Sequence, residues 1–275
     1  MKIKYGFLLF SLFLAACNIP DQKAEGKRYI ITSPEIAEII CLLEGDENIA
    51  GITAECDYPA YLQNKTIVGN FGNVDFEKII SLRPTTVFVA GLEQDYLHLE
   101  LKKLGIAAES VYCRSVEELL ETIINLGKLL ELPDRGRFVA DSLRTELAKI
   151  VSHSSSPSVY VEIYADPIMS VSSSSFVGEL IQLAGGINIF QDLPREYCRI
   201  DPEQVIKANP EIIILTHPGF SGNNIRDRKG WETISAIQTG RIYGDKSIDP
   251  SLILRSSPRF IAGIKQLQNA FYDTH

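Results

Sequence analysis

Between Pro133 and Val151 the chain reads PDRGRFVADSLRTELAKIV, and Phe138, Val139, Leu143, Leu147, Ile150 and Val151 fall on one apolar stripe at helical spacing. Pro133 and Asp134 suit a helix start and Lys149 a last turn. The run His153-Ser154-Ser155-Ser156-Pro157 stops it. The pattern predicts a helix about 29 Å long. Before it, apolar runs predict strands over 28–32, 48–53 and 85–90. Amphipathic runs between them predict helices over 33–43 with a stop at Gly45, then 75–82, 94–104 and 115–130. After it, strands are predicted over 158–163, 211–216 and 241–243, and helices over 176–184, 201–208, 231–237 and from Ser257-Pro258 onward. Strands alternating with helices imply parallel α/β sheets. Two similar α/β lobes joined by one long backbone helix fit this order. A single α/β domain carrying an ordinary surface helix fits the same pattern.

An internal repeat bears on that choice. VDFEKIISLRPTTVFV at 74–89 matches IDPEQVIKANPEIIIL at 200–215 with an offset of 126 residues. Asp75 pairs with Asp201, Glu77 with Glu203, Pro84 with Pro210, and Ile79-Ile80 with Val205-Ile206. Each copy reads as a capped short helix that ends at Pro and feeds a buried strand. Asp-x-Glu at a helix start is ordinary capping and dipole chemistry. Its recurrence at the same place in both halves suggests two lobes related by an approximate two-fold.

The N-terminus stands apart. Lys2 and Lys4 precede GFLLFSLFL at 6–14, an apolar core too short to span a bilayer. Leu14-Ala15-Ala16-Cys17 follows and resembles a bacterial lipobox, which implies cleavage before Cys17 and lipidation of that residue. The expected organisation is a signal peptide at 1–16, lipidated Cys17 and a polar tether at 17–27, an N-terminal lobe at 28–131, a connecting helix at 132–152 and a C-terminal lobe at 153–275. Loss of Lys2 and Lys4 takes the formal net charge from −8 to −10. So acidic a body argues against nucleic acid as a partner.

Reactive chemistry is sparse. His98, His153, His217 and His275 show no paired metal-ligand spacing, and only His217, after the 211–216 strand, falls near a predicted cleft, as a loop residue first and a ligand second. Cys41, Cys56, Cys113 and Cys198 form no C-x-x-C pair. Export permits disulfides among these four, with connectivity left open. Neither a Walker loop nor a nucleophile elbow is present. No catalytic residue, metal site or cofactor is expected. A lipid-anchored α/β hydrolase-like enzyme is the weaker functional class.

Together, the lipobox, two α/β lobes, one connecting helix and the twice-repeated helix–Pro–strand unit resemble the substrate-binding lipoproteins of ABC importers. The resemblance is to the class III, helical-backbone subgroup that carries cobalamin, ferric siderophores or haem, and covers roughly Arg28 to Tyr272. Within it the cobalamin-binding members are nearest. Asp57-Tyr58-Pro59, Glu77-Lys78-Ile79, Glu203-Gln204-Val205, the run GGINIF at 185–190 and Arg255-Ser256-Ser257-Pro258-Arg259 carry the likeness. It implies an exported, membrane-anchored monomer that captures a large metal chelate between its lobes and hands it to a permease. It implies that Glu77 and Glu203 dock onto permease arginines. Phe71, Tyr58, Tyr164, Tyr197 and Arg255 stand near the implied ligand cleft. For each aromatic, core packing is the alternative role. Ala90 stands where a further cleft aromatic is implied. Ala184 and Gln268 stand near the positions of the subgroup's disulfide cysteines.

Overall fold

The computed structural model describes residues 26–91, 94–217 and 225–273. Residues 1–16, expected as a signal peptide, Cys17 and most of the expected tether lie outside the described residues, as does 218–224.

The first half builds β1 (Tyr29–Ile31), α1 (Pro34–Leu42), β2 (Ile49–Ile52), β3 (Thr66–Ile67), the hairpin β4 (Gly69–Asn70) and β5 (Asn73–Val74), α2 (Phe76–Ser81), β6 (Thr86–Ala90), α3 (Asp95–Lys103), β7 (Ala108–Val111) and α4 (Val116–Leu129). After α5 (Pro133–Leu147), the second half builds β8 (Ser158–Glu162), β9 (Tyr164–Ala165), β10 (Ile168–Val171), α6 (Phe176–Leu183), β11 (Ile187–Asn188), β12 (Tyr197–Arg199), α7 (Pro202–Ala208), β13 (Ile212–Leu215), α8 (Ser235–Thr239), β14 (Ile242–Tyr243), α9 (Pro250–Leu254) and α10 (Phe260–Tyr272).

Two parallel sheets result. The first has strand order β3-β2-β1-β6-β7 and the second β11-β8-β13-β14. The order is the same once β1 is matched with β8 and β6 with β13, and the repeat predicts the second of these equivalences. Small antiparallel sheets, β12-β10-β9 and β4-β5, sit beside them.

Strand alternation divides the core. Ile30, Val87 and Val89 join Ile79 and Leu101 in a cluster on the outer face of the first sheet. Tyr160 and Ile213 join Val205 and Trp231 in its counterpart on the second. The opposite faces, through Ile31, Phe88, Val161 and Ile214, meet in one continuous cluster with residues of α1, α4, α6 and α10. The two lobes therefore share a buried apolar core.

The joining helix is shorter than its pattern predicts. α5 closes at Leu147, and the next turn tightens, with Lys149 N bonding Glu146 O at 3.1 Å and Ile150 N bonding Leu147 O at 3.0 Å. Phe138 and Val151, expected in the buried stripe, are exposed. The buried face is instead Gly136, Val139 and Ala140. Here α5 lies against α4 through glycine: a Cβ built on Gly127 would come 2.8 Å from Gly136 Cα. Backbone contact this close leaves no room for a larger ridge. Likewise, α1 closes at Leu42 with Leu43 as its cap, and Glu44 turns into the left-handed region with φ 63°, one residue before the predicted Gly45.

Candidate ligand crevice and docking rim

In parallel α/β sheets, ligands settle outside the C-terminal ends of the strands. Here those ends carry the polar contacts between lobes. Glu38, on α1 after β1, is 3% exposed and accepts from Arg259 Nε at 2.7 Å, Arg259 Nη2 at 2.6 Å and Arg255 Nη1 at 3.2 Å. The same Arg255 nitrogen donates to Asp57 at 2.7 Å, beyond β2. That guanidinium holds the Asp57 carboxyl below its ordinary range, chiefly by direct hydrogen bonding. A second contact follows β7: the Tyr112 hydroxyl donates to Glu196, and Arg114 Nε lies 3.0 Å from the same carboxylate. In a third, Glu179 of α6 accepts from Val116 N at 2.6 Å, satisfying an orphan donor in the first turn of α4. Burial raises the Glu179 pKa.

The predicted ligand residues fall around these contacts. Tyr58 is about half exposed, with the Arg259 guanidinium 4.1 Å over its ring. Phe71 occupies the two-residue turn of the β4–β5 hairpin. Its N–H donates to Glu55 at 2.9 Å and its carbonyl accepts from Gln94 at 3.1 Å. Tyr164 is exposed at the start of β9, and Tyr197 on β12 packs partly into the shared core beside Tyr112. Arg255 is committed to Glu38 and Asp57. Tyr58 and Arg255 thus belong to one ion-pair cluster, and Tyr197 to the Tyr112–Glu196 cluster. Phe71 and Tyr164 stack on neither among the described residues. Ala90 is buried in β6.

Sequence reasoning did not single out Glu38, Arg259, Tyr112, Glu196 or Glu179. Glu38 lies opposite the Ile36-Ile39-Ile40-Leu43 stripe of α1, on a side that periodicity reads as solvent-facing, so its burial carried no local signal. It also passed over Glu162, fully buried at the end of β8. This carboxylate accepts from Arg228 at 2.5 and 2.7 Å and from the Tyr160 hydroxyl at 2.8 Å, with His217 Nε2 at 3.0 Å. Arg228 lies 4.6 Å over the Trp231 ring. His217 therefore belongs to a buried carboxylate cluster.

The repeat units carry the two glutamates expected at a docking rim. Asp75 caps α2 through Lys78 N at 3.0 Å, and Asp201 caps α7 in a reciprocal capping box with Gln204. Glu77 and Glu203 occupy the same second helical position, and both are exposed. The equivalence extends to the helix ends. Arg83 has φ 48° and Asn209, 126 residues later, φ 46°. Sequence could not reveal that match, because an arginine stands where left-handed backbone favours Gly or Asn.

The four cysteines of the described residues are not activated for covalent chemistry. Cys41, Cys56, Cys113 and Cys198 are free. Burial pushes the Cys56 thiol up to about 12 and Cys113 up to about 11. No cluster of three metal-ligating side chains occurs among the described residues.

Comparison with known proteins adds to this geometry. A model of the periplasmic binding protein family matches residues 30–248. The ABC transporter substrate-binding lipoprotein YvrC of Bacillus subtilis is 28% identical over 262 residues, covering 91% of this chain and 81% of that protein. A vitamin B12-binding protein of Vibrio parahaemolyticus is 22% identical over 269 residues, covering 96% and 95%. Among solved structures, the apo periplasmic haem-binding protein RhuT of Roseiflexus aligns with TM-score 0.80 at 23% identity, covering 90% of this chain and 99% of that one.

Proposed function

The chain belongs to the periplasmic binding protein family, and from that premise we propose that it captures a corrinoid such as cobalamin between its lobes and delivers it to an ABC permease. Relatives in this family are transport proteins rather than enzymes, so the hydrolase-like reading is not supported. Structural neighbours include vitamin B12-binding and haem-binding proteins.

The observation that carries the ligand reading is the set of aromatics, Tyr58, Phe71, Tyr164 and Tyr197, drawn from both lobes around the strand ends. Such walls suit a large, flat, partly apolar ligand. Arg114, Arg228 and Arg255 each already hold a carboxylate. That favours an amide-rich corrinoid over anionic haem or ferric siderophores, the alternatives within the fold. The shared core limits the lobes to small movements on capture.

The test is absorbance and native mass spectrometry of the mature chain with cyanocobalamin, haem and a ferric siderophore. Phe71→Ala and Tyr197→Ala are each expected to weaken cyanocobalamin binding about tenfold, the loss of roughly 1.4 kcal/mol of aromatic contact. Wild-type affinity in both variants would remove these residues from the crevice.

The lipobox supports an anchor on Cys17, and the Bacillus relative is named a lipoprotein. No helix is long and apolar enough to cross a membrane among the described residues. Cys17→Ser is expected to release the protein from the membrane fraction or to block its processing. A wild-type chain that carries no lipid by mass spectrometry would defeat this assignment.

A further inference from the structure

We propose that Arg259 of the C-terminal lobe is a positioning residue for the ring of Tyr58 in the N-terminal lobe, so that a contact between the lobes sets the platform on which the ligand stacks. The proposal rests on the reading that Tyr58 faces the captured ligand. It adds Arg259 and Glu38, which act through that ring rather than on the ligand.

Three layers make the arrangement. At the back, the buried Glu38 carboxylate takes a pair of bonds from one edge of the Arg259 guanidinium, Oε2 from Nε at 2.7 Å and Oε1 from Nη2 at 2.6 Å. A fork of this kind fixes the plane of the guanidinium as well as its place. Those bonds lie in the plane, so they leave its face for a ring. The Tyr58 ring takes that face, with its centroid 4.1 Å from Arg259 Cζ. Tyr58 is nonetheless 47% exposed, so the ring backed by the cation still offers surface outward. The stem of Arg259 is fixed too. Its N–H donates to Ser257 Oγ at 3.3 Å, and its carbonyl accepts from Ala262 N at 2.9 Å in the first turn of α10.

Other guanidinium–ring pairs among the described residues set this one apart. Arg228 lies 4.6 Å over Trp231, Arg114 5.7 Å over Tyr112 and Arg135 5.8 Å over Phe138. Each of those pairs joins near neighbours in the chain, within one lobe or one helix. Trp231 is fully buried and offers no open ring. Arg259 and Tyr58 come from opposite lobes and make the shortest of these contacts. A half-exposed tyrosine must otherwise lose its side-chain freedom when a ligand settles on it. Fixing the ring beforehand removes that cost from binding. Lysine at 259 would keep the charge but supply neither fork nor face.

A double-mutant cycle of Tyr58→Ala with Arg259→Lys tests the relay. Cyanocobalamin affinity of the mature protein is expected to fall about fivefold in Arg259→Lys, and no further when Arg259→Lys is added to Tyr58→Ala. An equal loss from Arg259→Lys in both backgrounds means that the arginine acts only through the fold, and it overturns the proposal. Wild-type affinity in Arg259→Lys does the same. A ligand-free reading comes from fluorine NMR of the chain labelled with 3-fluorotyrosine, the Tyr58 signal being the one lost in Tyr58→Phe. That signal is expected to move toward free 3-fluorotyrosine in Arg259→Lys and in Glu38→Ala with Arg259→Leu, a pair that removes both charges together. An unmoved signal in both variants overturns the positioning role. Melting temperature checks the fold, and the pair replaces Arg259→Lys in the cycle if lysine lowers it. If wild type takes haem or the ferric siderophore in place of cyanocobalamin, the corrinoid reading fails, and the same cycle with that ligand decides the role of Arg259. Binding of none of the three by wild type overturns the platform itself.

Discussion

Reversing both rim charges, Glu77→Arg with Glu203→Arg, is expected to abolish uptake and permease binding while leaving ligand affinity unchanged. Each carboxylate projects from the second position of a helix whose N-cap is fixed by an aspartate. The helix dipole already favours acid there, so the charge is held in place without a protein partner. Charges on rigid elements suit bidentate arginine, and two of them, one per lobe, set orientation as one could not. Like charges brought together across an interface cost several kcal/mol, so two reversals should lower affinity by two orders of magnitude or more. If the two glutamates served only their helices, each substitution would cost about 0.3–1 kcal/mol of stability and transport would proceed. Uptake into proteoliposomes separates the outcomes. Transport at the wild-type rate removes the docking role, and loss of ligand binding moves both residues into the crevice or the fold.

Those glutamates were legible because their signal is local. A cap, an acid at the second position, apolar residues at helical spacing and a terminal proline all lie within one short window. The window recurs 126 residues later. Ser115 and Ser175 follow the same local logic, and each caps its helix through its hydroxyl. What local pattern cannot carry is partnership across the lobes. Arg255 reads as a cation near a crevice, yet it is spent on Glu38, 217 residues away in the chain. Phe138 fits an apolar stripe, yet α5 turns its glycine face to α4 and leaves Phe138 outward beside Arg135. Periodicity names an amphipathic helix, and the neighbour decides which residues are covered. The small hairpins β4–β5 and β9–β10 escaped because strands of two to four residues carry too little alternation to read.

Glu38→Ala is expected to destabilise the chain by about 3 kcal/mol, because removing one member of a buried ion-pair cluster strands the others. Arg255 and Arg259 would then face each other with Asp57 as the carboxylate still bonded to Arg255, and their mutual repulsion already opposes the Arg259 charge. For a chain of this length the melting temperature should fall by roughly 6–12 °C. The cluster ties α1 to the segment between α9 and α10, so the loss falls on the contact between lobes. Adding Arg259→Leu should recover part of the stability, since a packed apolar side chain often replaces a buried pair at little cost. The pH dependence has a definite sign. The Asp57 pKa is lowered in the folded state, so its contribution is present above about pH 4 and fades as pH falls through the folded value. Glu179 runs the opposite way: its raised pKa makes its contribution greatest in acid and lost as pH rises through the folded value. In the Glu38→Ala protein Asp57 remains the carboxylate that Arg255 meets, so its stability should fall on acidification from pH 5 toward 3. Thermal melts across that range decide it. A melting temperature equal to wild type at neutral pH would mean that the cluster adds nothing to the join between the lobes, and that the apolar core alone holds them.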